Sequence, residues 1–180
     1  MPDEAGRGPV LLAIAREAIA QAADPREGDW HEPWLRETAA TFVTLRLGGE
    51  LRGCIGTVDA HRALGDDVAH NARCAAYRDA RFPPVTPAER ARLELEVSLL
   101  SGRSPIDVES ESDAVARLRP GVDGVVLEFA EARATFLPQV WDHLPEPLDF
   151  LAELRRKARL PPRFWHPDMR ISRYTVEKFR

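Results

Sequence analysis

The chain has 180 residues, 44% of them hydrophobic and 30% charged, with a formal net charge of -4. That length suits one domain, or two closely joined lobes, burying a core without metal or disulfide, and the acidic balance argues against a general nucleic-acid binder. Two cysteines, Cys54 and Cys74, with no Cys-x-x-Cys pair, exclude a disulfide framework or a cysteine-rich zinc module and fit a reducing cytoplasm.

No run approaches the roughly 20 apolar residues that span a bilayer, so no membrane partner is expected. Residues 1–8 carry Pro2, Asp3 and Glu4 before an amphipathic stretch, the wrong order for a secretory signal, and read as a flexible extension. Arginine far outnumbers lysine, found only at Lys157 and Lys178, a bias that suggests a GC-rich bacterial genome.

In chain order, Val10, Ile14, Ala18 and Ala22 recur at helical spacing within residues 9–23, ahead of Asp24 and Pro25. Residues 26–37 read as a loop laying Trp30, Pro33 and Trp34 across the core. "TFVTLRL", Gly48-Gly49 and "ELRGCIGTV" predict a hairpin, because paired glycines supply the positive φ of a tight turn. Leu64, Val68, Ala72 and Ala75 predict a helix over 63–77 carrying Cys74, stopped by the prolines of "RDARFPPVTP". "RLELEVSLL" alternates apolar and polar residues as a strand wet on one face does. Beyond it come an acidic loop at "RSPIDVESESD", a short helix over 112–118, strands over 124–129 and up to 136, a helix over 147–158 and one last strand, "DMRISRYTVEKF". The mixed order of elements makes the class α+β, with an antiparallel or mixed sheet.

Chemistry centres on Cys54. In a regular strand Arg52 and Cys54 share a face, and a nearby guanidinium favours a thiolate. Gly53 and Gly56 clear space that a substrate, or another packed element, can use. A thiol nucleophile wants a base, and His31, His61, His70, His143 and His166 are all available, His61 and His70 standing nearest in sequence. None has metal-site spacing, so no metal or cofactor is assigned. In "YRDARFPPVTPAE", Asp79 and Arg81 sit beside Phe82 in a stiff segment, placed either to present charge at a cleft or to close the helix end. Phosphate-loop glycine signatures are absent, and "ELRRKAR" reads as a basic exposed helix face.

Taken in order, "LRGCIGT", "DARFPPVTPAE", "LELEVSLLS", "GVDGVVLE", "FLPQVW" and "FLAELRRKA" resemble the AMMECR-domain family, also called AmmeMemoRadiSam system protein A, over nearly the whole chain. The resemblance implies one AMMECR-like domain spanning 1–180, an α+β fold with a largely antiparallel, barrel-like sheet and flanking helices in two lobes. It also implies partners in a shared pathway, a Memo-like protein and a radical S-adenosylmethionine protein. It marks two site clusters, Leu51–Thr57 and Asp79, Arg81, Phe82, Pro83. The chain departs from the family pattern at Ala80, where Pro is frequent, and at Arg159, where Gly often ends the helix.

Two functions follow as expectations. One is a cytoplasmic enzyme in which Cys54 is nucleophile or acid/base, Asp79 orients a partner, and Arg52 or Arg81, with Gly53 and Gly56, accommodates a small anionic substrate. The other is an accessory protein docking on the pathway partners, with Trp30, Trp34 and Trp141 as anchors.

Overall fold

The computed structural model describes residues 4–21 and 30–180, which form two compact units: residues up to 100 with 177–180, and residues 101–176. Of the expected N-terminal extension, residues 1–3 lie outside the described residues, as does the 22–29 part of the first helix and loop.

The first unit opens with helix α1 (Glu4–Gln21), which buries Leu11, Ile14, Ala15, Ala18 and Ile19. The i, i+3, i+4 spacing puts these residues on one stripe. A 3-10 turn at Pro33–Arg36 carries buried Trp34 and leads into strand β1 (Thr38–Leu47). Gly48 and Gly49, at φ 59° and 83°, close the hairpin to β2 (Glu50–Gly56), as their lack of a Cβ allows. After the short β3 (Arg62–Ala63) come α2 (Leu64–Tyr77), the single turn α3 (Pro87–Arg90) and β4 (Leu93–Leu100). β1 pairs antiparallel with β2, β3 and β4. Val43, Leu45, Leu95 and Val97 on one sheet face meet α1 and the apolar stripe of α2 in a common core.

The second unit holds β5 (Ser104–Ile106), α4 (Glu111–Arg117), β6 (Gly124–Phe129), β7 (Ala132–Phe136), a 3-10 turn at Pro138–Asp142, α5 (Pro147–Lys157) and β8 (Arg170–Tyr174). Its antiparallel sheet runs β5-β8-β6-β7. Phe150, Leu151 and Leu154 of α5 pack on it, with Trp141 stacked on Phe150 at a centroid distance of 3.7 Å.

The α+β class and the antiparallel pairing are as expected, but the sheets are open, so a barrel is not formed. The expected single last strand is two: the chain leaves the second sheet at Thr175 and continues as β9 (Val176–Phe179) beside β4 in the first. The acidic "RSPIDVESESD" stretch is only partly loop, because Ser104–Ile106 pairs with β8. The basic face of α5 is not wholly exposed either. Arg155 is 1% exposed, its guanidinium donating to Glu111 and to the Pro162 carbonyl. Trp34 and Trp141 are core residues, 6% and 3% exposed, which removes them as interface anchors. Trp30 is half-buried, its indole N–H donating to Asp66.

At the end of α5, Leu160 N–H donates to Arg155 O and Arg159 N–H to Arg156 O, the paired bonds of a Schellman cap, with Arg159 at φ 62°. The helix therefore ends as a glycine would end it, without the glycine.

Candidate functional site

Cys54 lies on β2, the outer strand of the first sheet, directly across from Thr44. An outer strand presents alternate backbone N–H and C=O groups with no neighbouring strand to receive them. At Cys54 both are met by one ion pair. Asp79 Oδ2 accepts the Cys54 N–H at 2.9 Å, and Arg81 Nη2 donates to the Cys54 carbonyl at 3.1 Å. Arg81 also grips Asp79 through Nε to Oδ1 at 2.9 Å and Nη2 to Oδ2 at 2.7 Å. The ion pair thus stands in for the missing strand.

All four hydrogen bonds to Asp79 fall on its two oxygens, Arg81 N–H at 3.1 Å being the fourth. Arg81, and then the backbone N–H groups of Cys54 and Arg81, hold its carboxyl far below the usual range, and the buried carboxylate stays ionised. Arg81 is raised in turn, first by Asp79. Its side chain is 55% exposed, leaving part of the guanidinium open to solvent.

Arg52, two residues before Cys54 on β2, makes a second tie to the same loop. The register slips between Leu45 and Arg46, so β2 carries one extra residue there, Arg52, between Gly53 opposite Leu45 and Leu51 opposite Arg46. The bulge breaks the alternation on which a shared Arg52–Cys54 face depended. The Arg52 guanidinium forks onto Glu89 at 3.0 and 3.2 Å and donates to the carbonyls of Pro83 and Pro84. Glu89, bonded also to the Thr86 N–H and hydroxyl in a capping box, is lowered to about 2, Arg52 being the main cause. The two sequence clusters are therefore one interlocked structure, with the 79–89 segment clamped along β2.

The glycines of the motif are set by packing. A Cβ on Gly53 would stand 2.2 Å from the Ala75 carbonyl of α2, and one on Gly56 2.1 Å from the Phe42 ring. Cys54 points to the other sheet face from Gly53, as strand alternation requires, half-buried with Sγ 3.4 Å from Thr44 Oγ1.

Among the described residues no histidine is hydrogen-bonded to Cys54. His61 contacts the Asp59 carbonyl, while His70 Nε2 lies 3.4 Å from Sγ of the other cysteine, Cys74, one helical turn on. Burial, and then Arg62 and Arg73, lower the His70 pKa, with Arg78 adding to the effect and Asp67 opposing it. No group of three or more His, Cys, Asp or Glu side chains arranged to hold a metal occurs among the described residues.

Sequence reasoning missed the polar hub behind the motif. Asp67, fully buried, accepts from Thr41 N–H at 2.9 Å, the Thr41 hydroxyl at 2.7 Å, the Thr57 hydroxyl at 3.0 Å, Arg62 at 3.1 Å and Asn71 at 2.9 Å. It ties β1, the end of β2 and β3 to α2. The available signal was periodic: Asp67 and Asn71 interrupt the same helix stripe as Leu64, Val68 and Ala72, where a polar side chain requires partners.

An α+β chain of two units, with its outer strand clamped by an acidic-basic loop, matches a family model. The AMMECR1 model covers residues 12–179, and the chain belongs to that family. A protein of Methanothermobacter thermautotrophicus is 38% identical over 180 residues, covering 96% of this chain and 93% of its own length. One from Thermofilum pendens is 33% identical over 198 residues, covering 97% and 90%. In three dimensions the chain is similar to the uncharacterized protein PH0010 from Pyrococcus horikoshii, with a TM-score of 0.82, 31% identity and coverage of 95% and 89%. These relatives are archaeal, so the arginine bias supports no bacterial assignment. Among the described residues no helix is long and apolar enough to cross a membrane.

Proposed function

We propose that the first unit is a cytoplasmic enzyme module acting on a small anionic molecule, with Cys54 as its nucleophile or acid/base. The supporting observation is the treatment of Cys54: its peptide is fixed at both the N–H and the carbonyl, while its thiol remains half-buried beside a hydroxyl. A fixed backbone under a half-buried cysteine is part of the preorganisation that a reacting thiol needs. Asp79 acts as a positioning residue, because its lone pairs are filled by Arg81 and Cys54. Arg81 offers the substrate contact through its exposed guanidinium, and Arg52 acts through the 83–89 segment. Gly53 and Gly56 let α2 and Phe42 close around the strand.

The alternative, an accessory protein docking on Memo-like and radical S-adenosylmethionine proteins, rests on family membership alone. The deciding measurement is alkylation rate against pH for Cys54 and Cys74, read by peptide mapping with Cys54→Ser as control. A fast Cys54 with an apparent pKa well below the free value of about 8.5 supports the enzyme reading. A Cys54 that reacts only after unfolding makes it a packing residue and favours the accessory reading.

A further inference from the structure

The hairpin end of the first sheet holds an open pocket of about 640 Å³, within the range of small-molecule sites. Arg16 of α1, Thr44 and Arg46 of β1, Glu94 and Glu96 of β4 and Arg180 line it. Its charges are unevenly matched. Glu96 is already held by Arg180 Nε at 2.6 Å and by Lys178 Nζ at 3.8 Å. Glu94 accepts the Gly49 N–H at 3.3 Å. Arg16 and Arg46 each donate only to a backbone carbonyl, Leu93 O at 3.5 Å and Gly49 O at 3.1 Å, and neither is paired with a carboxylate among the described residues. With Lys178, four cations face two carboxylates.

A guanidinium carries five N–H donors in a fork that matches a carboxylate or a phosphate. Two such groups, arriving from a helix and a strand at one concavity, leave most of their donors for a ligand. We infer that this pocket binds a small organic anion, its carboxylate or phosphate held by Arg46 and Arg16 and its body lying along β1 toward Thr44. Because the Thr44 hydroxyl lies 3.4 Å from Cys54 Sγ, the anion's far end is brought to the thiol. That last link rests on the proposed role of Cys54; the binding itself does not.

The test is an amide NMR titration of the full chain with phenyl phosphate and, separately, with benzoate. Saturable shifts centred on Thr44, Arg46 and Gly49 are expected, with affinity falling at least tenfold in Arg46→Gln and in Arg16→Gln and unchanged in Arg133→Gln, a surface control in the second unit. Binding of phenyl phosphate alone identifies a phosphorylated ligand and of benzoate alone a carboxylate, and either supports the inference. No saturable shift at millimolar ligand, or one that both pocket substitutions leave intact, overturns it. Binding retained in Cys54→Ala, with a Cys54 alkylation rate in the native chain that the ligand does not change, upholds the pocket and overturns the thiol reading instead.

Discussion

The carboxylate of Asp79 accepts the backbone N–H of Cys54, a residue 25 positions earlier, and so replaces a strand at the sheet's outer edge. The consequence for stability has a definite pH sign. A carboxyl group lowered on folding stabilises the protein above its unfolded pKa, near 3.8, and loses that contribution as pH falls toward the folded value. Urea midpoints should therefore decline below about pH 5 in the native chain. Asp79→Asn should flatten that limb and cost about 2 kcal/mol at pH 7, the scale of hydrogen bonds to a charged group, kept modest by the exposure of Arg81. An unchanged acid limb in Asp79→Asn would refute this account.

The two motif glycines should respond differently to substitution. At Gly53 the obstacle is the Ala75 backbone carbonyl, which cannot turn aside, whereas at Gly56 it is the Phe42 side chain. Gly53→Ala is expected to destabilise by about 3 kcal/mol or more, the upper range for overpacking, with no side-chain change able to rescue it. Gly56→Ala should be substantially rescued by Phe42→Ala, which removes the ring from Cγ outward, in a double-mutant cycle. Equal costs and no coupling would show that both positions fail for another reason.

The His70 and Cys74 pair carries a second pH signature. A histidine whose pKa is lowered on folding binds fewer protons in the native state than unfolded, so stability rises with pH from the folded value through about 6.5. Comparing unfolding midpoints at pH 5.5 and 7.5 should show this rise in the native chain and its reduction in His70→Gln. The same substitution should change the alkylation rate of Cys74 and leave that of Cys54 alone, since only Cys74 Sγ lies within 3.4 Å of the ring.

Arg159 offers a stabilising change. An L-residue in the left-handed conformation costs roughly 1 kcal/mol or more, and glycine does not incur that cost. Arg159→Gly should raise stability by about 1 kcal/mol, less the entropy that glycine adds to the unfolded chain. Thermal unfolding measures it, and a lower midpoint would mean that the Arg159 side chain contributes more than its backbone strain.

What was legible in the sequence was what repeats along it. The alternation of Leu93, Leu95 and Val97, the Gly48-Gly49 turn and the stripe of α2 all depend on near neighbours, and each element formed within a few residues of its expected bounds. Family motifs brought Cys54 and Asp79 to attention, but not their relation. The bulge at Arg52 is fixed by a partner strand, and the grip of Arg52 on Glu89 spans 37 positions. Arg155 misled for the same reason. Its neighbours on α5 are basic, and only the fold shows that Glu111 and Pro162 receive it in the interior.

The split of the last strand at Thr175 makes the first unit discontinuous in sequence. β4 and β9 lie side by side in one sheet, yet 75 residues, Ser101–Thr175, separate Leu100 from Val176. Those residues leave and return at one point, where Ser101 N–H meets Thr175 O and Thr175 N–H meets Ser101 Oγ, each at 2.9 Å. The second unit is in effect an insertion into a connection between neighbouring strands. On a ribosome the first unit waits through the synthesis of the whole insert before Phe179 arrives to pack against Gly8 and complete its core.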